Sequence, residues 1–93
     1  DDRFLKDLAD AYFRLEANEL AVDVERLRIK KLAAGSSAWF DARYGLALAY
    51  YRLGRREDAR QLIEGTAILH PELGGGRIRE KFIRLRQRLG SAP

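Results

Sequence analysis

The sequence predicts an all-α domain of about five helices folded as antiparallel hairpins, and three observations carry that prediction. Apolar residues recur at helical spacing, and no stretch alternates with the period of a strand. Glycine and proline punctuate the chain at positions 35, 54, 71 and 74–76. An eleven-residue phrase is written twice, AYFRLEANELA at 11–21 and AYYRLGRREDA at 49–59, thirty-eight positions apart. At that offset Leu8, Ala9, Ala11, Tyr12, Arg14, Leu15, Glu19 and Ala21 match Leu46, Ala47, Ala49, Tyr50, Arg52, Leu53, Glu57 and Ala59, eight identities in fourteen positions. Phe13 faces Tyr51 as a conservative ninth. Each copy reads as one helix–turn–helix unit, so the chain is two stacked hairpins and a closing helix.

The elements follow in order. Phe4, Leu5, Leu8, Ala11, Tyr12 and Leu15 define the apolar stripe of a first helix. A second is expected over about 18–34, through Leu20, Val24, Leu27 and Leu32. Gly35 stops it, and a serine of the GSS at 35–37 caps the next. The third is expected over about 38–53 and stops at Gly54, which should take a positive φ. The fourth covers about 57–69, opens on Glu57 and Asp58, where acids favour a helix start, and ends before Pro71. After the GGG of 74–76, a fifth over about 77–89 aligns Ile78, Phe82, Leu85 and Leu89. The chain is thus expected to be a single domain over 1–93, with one repeat at 3–35, a second at 38–73 and a closing helix at 76–90.

Composition bounds the function. Apolar residues at 46% supply a core for ninety-three residues, and charged residues at 34% supply a hydrated surface. No apolar run approaches the ~20 residues of a membrane helix. With no cysteine, disulfides and thiolate metal sites are excluded. The chain lacks an initiating Met and any signal-like segment, and is expected to be a piece of a longer protein whose targeting signal lies elsewhere. Cytoplasm and periplasm both stay open. Arg outnumbers Lys 14 to 4, the bias of a GC-rich bacterial genome. The net charge of +4 is unevenly spread: residues 1–51 carry 8 basic and 9 acidic side chains, residues 52–93 carry 10 and 5.

The repeated unit resembles the tetratricopeptide repeat, W-x-x-L-G-x-x-Y, then A-x-x-x-F, then P. The second copy carries Leu46, Ala47, Tyr50, Ala59, Ile63 and Pro71 at those places; the first carries Leu5, Leu8, Ala9, Tyr12 and Ala21. Arg43 stands at the Trp place of the second copy, with Trp39 one turn earlier. Glu25 stands at the Phe place of the first copy, and Ala33 at its Pro place. The spacing is 38 residues, against about 34 in the family. The resemblance implies a right-handed α–α superhelix, closed by a solvating helix, that acts as a non-catalytic protein-interaction module and holds a peptide in its concave groove.

It also implies which residues line that groove. The stripe Phe40, Tyr44, Leu48 and Tyr51 would face it from the second repeat; Lys6, Asp10 and Phe13 from the first, with Arg14 and Arg52 beside them. The same stripe also suits packing on all sides of a middle helix, and both readings stay open. Trp39, on the neighbouring face with Leu46, Tyr50 and Leu53, is read as core. The family's clamp for a C-terminal carboxylate is not expected, because Asp10 and Gly45 stand where asparagines would be needed.

Other chemistry is not indicated. His70, the sole histidine, precedes Pro71 at a helix end and reads as a cap. GGGR at 74–77 lacks the Lys-Ser/Thr and the preceding strand of a phosphate-binding loop and reads as a flexible turn. No nucleophile–base–orienter set, metal site or cofactor site can be assembled. The rival function is binding of nucleic acid or another polyanion through Arg77, Arg79, Lys81, Arg84, Arg86 and Arg88 of the last helix. The open face of the first hairpin, near Phe4, Phe13, Leu20 and Leu27, is expected to favour a two-fold dimer.

Overall fold

Asp1 starts the first helix, its carboxylate accepting the Phe4 amide at 3.3 Å. The computed structural model describes residues 1–90; the last three residues of the expected domain, 91–93, lie outside the described residues. Five helices follow one another, α1 (Asp2–Arg14), α2 (Asn18–Lys31), α3 (Ser37–Arg52), α4 (Arg56–Leu69) and α5 (Gly76–Gly90), with no strand among the described residues. α2 stops at Lys31, short of the expected 34. Leu32 turns extended (φ −87°, ψ 151°), and the Ser36 amide donates to the Ala33 carbonyl at 3.1 Å. Ser36 then caps α3, its hydroxyl accepting the Trp39 amide at 3.2 Å.

The repetition in sequence is a repetition in backbone. After α1, the Ala17 amide donates to the Tyr12 carbonyl and the Glu16 amide to that of Phe13; after α3, Arg55 donates to Tyr50 and Gly54 to Tyr51. This is the same helix-ending motif with its left-handed residue in the same place. Gly54 takes φ +79°, as expected, and Glu16, its counterpart thirty-eight positions earlier, takes φ +57° without being glycine. Ala17 and Arg55 then open α2 and α4 with nearly equal dihedrals, and neither is helped by a side-chain cap.

α3 is the middle of the molecule and touches all four other helices. That is why it is apolar on more than one face: Trp39, Phe40, Ala42, Leu46, Ala47, Ala49 and Tyr50 are all buried. Fully buried Ala21, Ala42, Ala47, Ala49 and Ala59 let the axes approach closely. Ile63 of α4 and Phe82, Leu85 and Leu89 of α5 continue the same core. Arg43, at the motif's Trp place, lies 4.8 Å above the Trp39 ring and donates to the Thr66 hydroxyl at 2.7 Å.

α5 is docked at both ends. At its start, Gly74 (φ +91°) lies where a Cβ would come within 2.8 Å of Phe40 and Ile78, so this glycine turn is specified by packing. At its finish, Arg56 donates to the carbonyls of Arg88 (3.0 Å) and Leu89 (3.2 Å), and Arg60 also donates to that of Leu89. Two guanidinium groups of α4 thus satisfy carbonyls that the helix itself leaves free.

Candidate functional site

Side chains of α1, α3 and α5 border two adjoining depressions. α1 supplies Lys6, Asp10 and Phe13, α3 supplies Asp41, Tyr44 and Leu48, and α5 supplies Lys81; together they border one depression of about 150 Å³. Tyr44 and Leu48 also floor a second, of about 180 Å³, with Leu85 below and Lys81, Arg84 and Arg88 around it. Tyr44 stands edge-on to the buried Phe82 ring, 5.6 Å between centroids, so its position is set by the core beneath it. Burial pushes the Tyr44 hydroxyl above its ordinary pKa, while Arg88, Arg52 and Arg84 draw it down. Volumes of this size are below those that enclose a drug-sized ligand or cofactor, about 300 Å³ and more. They fit single side chains.

Of the residues expected to line a groove, Lys6, Asp10, Phe13, Tyr44 and Leu48 are brought together. Arg52 joins them with its guanidinium 5.3 Å from the Phe13 ring centroid. Phe40 is not among them. It is buried, edge-on to both Trp39 (5.0 Å) and His70 (5.1 Å), because the corner after α4 folds back over it. Tyr51 is half-buried with Arg56 over its ring at 5.6 Å, and Arg14 is exposed at the end of α1; neither borders these depressions. The six basic residues expected to form one patch are divided. Lys81, Arg84 and Arg88 surround the second depression, Arg79 and Arg86 pair with Glu72 (3.6 Å) and Glu64 (4.0 Å), and Arg77 borders a separate, larger depression beside Gly74 and Gly75. His70 does end α4, and its ring packs on Trp39 and Phe40.

A buried ionic cluster at the rim was not foreseen. Arg28 of α2 is 1% exposed and grips Asp2 with two bonds (2.7 and 2.9 Å), Glu25 with one (2.9 Å) and Asp41 with one (3.0 Å). Lys6 adds a contact to Asp41 at 3.4 Å and to Asp10 at 3.7 Å. One guanidinium thus ties α1, α2 and α3 together. Burial works against the charge on Arg28, but the hydrogen bonds it donates to Asp2, Glu25 and Asp41 outweigh this and hold its pKa above the ordinary value. Glu25 goes the other way: burial pushes its carboxyl up to about 7, against the hydrogen bond and the charge of Arg28. The signal in the sequence was Glu25 at the apolar place of the motif, with glycine at 45 opposite. A Cβ at Gly45 would overlap the Glu25 carboxylate.

Among the described residues no group of three or more acidic, histidine or cysteine side chains could hold a metal ion, and no helix is long and apolar enough to cross a membrane. Comparison of the chain with models of protein families, with curated proteins and with solved structures finds no match.

Proposed function

We propose that this chain is a non-catalytic interaction module of tetratricopeptide type, two stacked hairpins and a closing helix in a right-handed superhelix, and that it holds a segment of a partner protein along the seam of α1, α3 and α5. The observation that carries this reading is the pair of adjoining, side-chain-sized depressions sharing Tyr44, Leu48 and Lys81. Half-buried apolar surface between charged rims is the make-up of a protein-recognition site. The uncovered apolar face of the first hairpin belongs to the same reading as a second contact, to another copy or to a neighbouring part of a longer chain.

Selection from a displayed peptide library tests the proposal, with Tyr44→Ala and Leu48→Ala as counter-targets. Peptides retained by the parent chain and lost on the variants support it. A library that yields no binder dependent on Tyr44 or Leu48 removes the groove. Binding of a polyanion through α5 is the second reading, favoured by the exposure of its basic residues. The pairing of Arg79 and Arg86 with carboxylates of Glu72 and Glu64 weighs against it.

A further inference from the structure

Four cationic side chains crowd one patch of half-buried apolar surface. Lys81, Arg84 and Arg88 lie on successive turns of α5 around Tyr44, Leu48 and Leu85, and Arg52, at the end of α3 with its guanidinium over Phe13, is near enough for its charge to act on the Tyr44 hydroxyl. Several neighbours of like charge lie within 4.0 Å of a carboxylate: Arg55 of Asp58, Arg60 of Glu57, Arg79 of Glu72 and Arg86 of Glu64. Among the described residues Arg52, Lys81, Arg84 and Arg88 form no such pair; Arg52 and Lys81 rest on the rings of Phe13 and Tyr44 instead. Like charges one turn apart repel, so this arrangement opposes helix stability until a counter-charge arrives. The α1 end of the seam has the opposite balance. Asp2, Asp10, Glu25 and Asp41 form their ion pairs there with Lys6 and Arg28, and Lys81 faces Asp10 and Asp41 across the same depression.

We propose that the α3–α5 half of the groove docks an acidic segment of a partner polypeptide, with one large apolar side chain seated on Tyr44, Leu48 and Leu85 and flanking carboxylates on Arg52, Lys81, Arg84 and Arg88. This rests on the groove reading above and names its ligand class. The acidic run ends before the α1 rim, where Asp10 and Asp41 repel it, so the groove sets the direction in which the segment lies. Apolar burial supplies holding and the cations supply steering, which makes capture faster at low salt. A nucleic acid suits the site less well, because its regularly spaced phosphates would run onto the carboxylates of α1.

An array of immobilised peptides tests this on the whole chain. Each member has a varied apolar centre flanked by glutamates, and a counterpart flanked by lysines; a single-stranded oligonucleotide is a third probe. The glutamate series is expected to bind and the lysine series not to. Reversing two cations of this patch, Arg84→Glu with Arg88→Glu, should weaken the glutamate series by about tenfold or more. The charge-matched pair Lys30→Glu with Lys31→Glu, at the exposed end of α2, should change it less than about twofold. Circular dichroism establishes that both double variants keep their helices. Equal binding of the lysine series, still lost with Tyr44→Ala, keeps the groove and overturns the acidic class. Binding of neither series overturns the groove as well. Tighter binding of the oligonucleotide, weakened as much by Arg79→Glu with Arg86→Glu as by the first pair, assigns α5 to nucleic acid and overturns the proposal.

Discussion

Gly45 has no side chain because the Glu25 carboxylate occupies the space one would need. Adding a methyl group there should destabilise the chain by about 1–3 kcal/mol, the usual cost of overpacking. In a Glu25→Ala background the same Gly45→Ala change should be close to neutral, since the obstacle is gone and alanine is the better helix former. Urea denaturation of the four proteins measures the coupling; additive costs would mean the two residues do not compete for space. Glu25 also makes stability depend on pH. Its folded pKa of about 7 lies above the ordinary 4.5, so the folded chain binds this proton more tightly than the unfolded one. The stabilisation is complete below the ordinary value and is lost as pH rises through 7. Between about pH 5.5 and pH 8 the loss should be about 2 kcal/mol, and Glu25→Gln should flatten the profile. Asp2 has the opposite sign, because the hydrogen bond from Arg28 lowers its pKa; its contribution disappears only at more acid pH, outside this window. At this scale the sequence was only partly legible. A glutamate at an apolar place of the motif was visible in it, but not that Arg28, three residues on, would reach Asp2 and Asp41 as well.

The two hairpin turns are one design executed with different residues. At Gly54 a Cβ would find open space, so Gly54→Val should cost about 1–3 kcal/mol through backbone strain alone. Glu16 already bears strain of this kind at φ +57°, and Glu16→Gly should raise stability by about 0.5–1 kcal/mol. Thermal unfolding of the two variants checks both signs. The turns were legible because the phrase is written twice and a glycine marks one copy. The end of α2 was less so: Leu32, Ala33 and Ala34 continue a helical composition, and the stop is decided by the Ser36 cap and the turn that precedes it. For Phe40 the resemblance implied a groove while the periodicity suited core packing equally well, and the burial of its ring decides for the core. What covers it is the corner after α4, whose course depends on several left-handed residues in succession.

Over the whole molecule, burial separates core from surface more finely than a helical wheel can. Trp39 is 7% exposed and Tyr44 is half-buried over Phe82. Trp39→Ala should therefore cost about 3–5 kcal/mol, and Tyr44→Ala distinctly less. Chemical denaturation followed by circular dichroism would place both among the core residues if the costs were equal. The free face of the first hairpin is the other large-scale feature. Phe4 is 68% exposed while its counterpart Ala42 is fully buried, and Leu15, Leu20 and Leu27 are also exposed. Sedimentation across a concentration series should show association that Phe4→Glu with Leu27→Glu abolishes; a chain that stays monomeric at high concentration would mean that this face tolerates water. An all-helical chain of five helices was legible from the periodicity and the repeat, and so was the neighbourhood of Lys6, Asp10, Phe13, Tyr44 and Leu48. The division of α5 into a paired and an unpaired side was not, since it depends on how that helix is rolled against α4. The buried guanidinium has one more consequence, for modularity. Ile63, the counterpart of Glu25, joins an apolar core with Phe82 and Leu85, so the joint after the second unit is made of oil-like parts that any further copy could reuse. The joint after the first unit needs Asp2, Glu25, Arg28, Asp41 and a bare Gly45 at once. A chain in which the two hairpins are exchanged is therefore expected to unfold more readily, because those five residues would no longer meet.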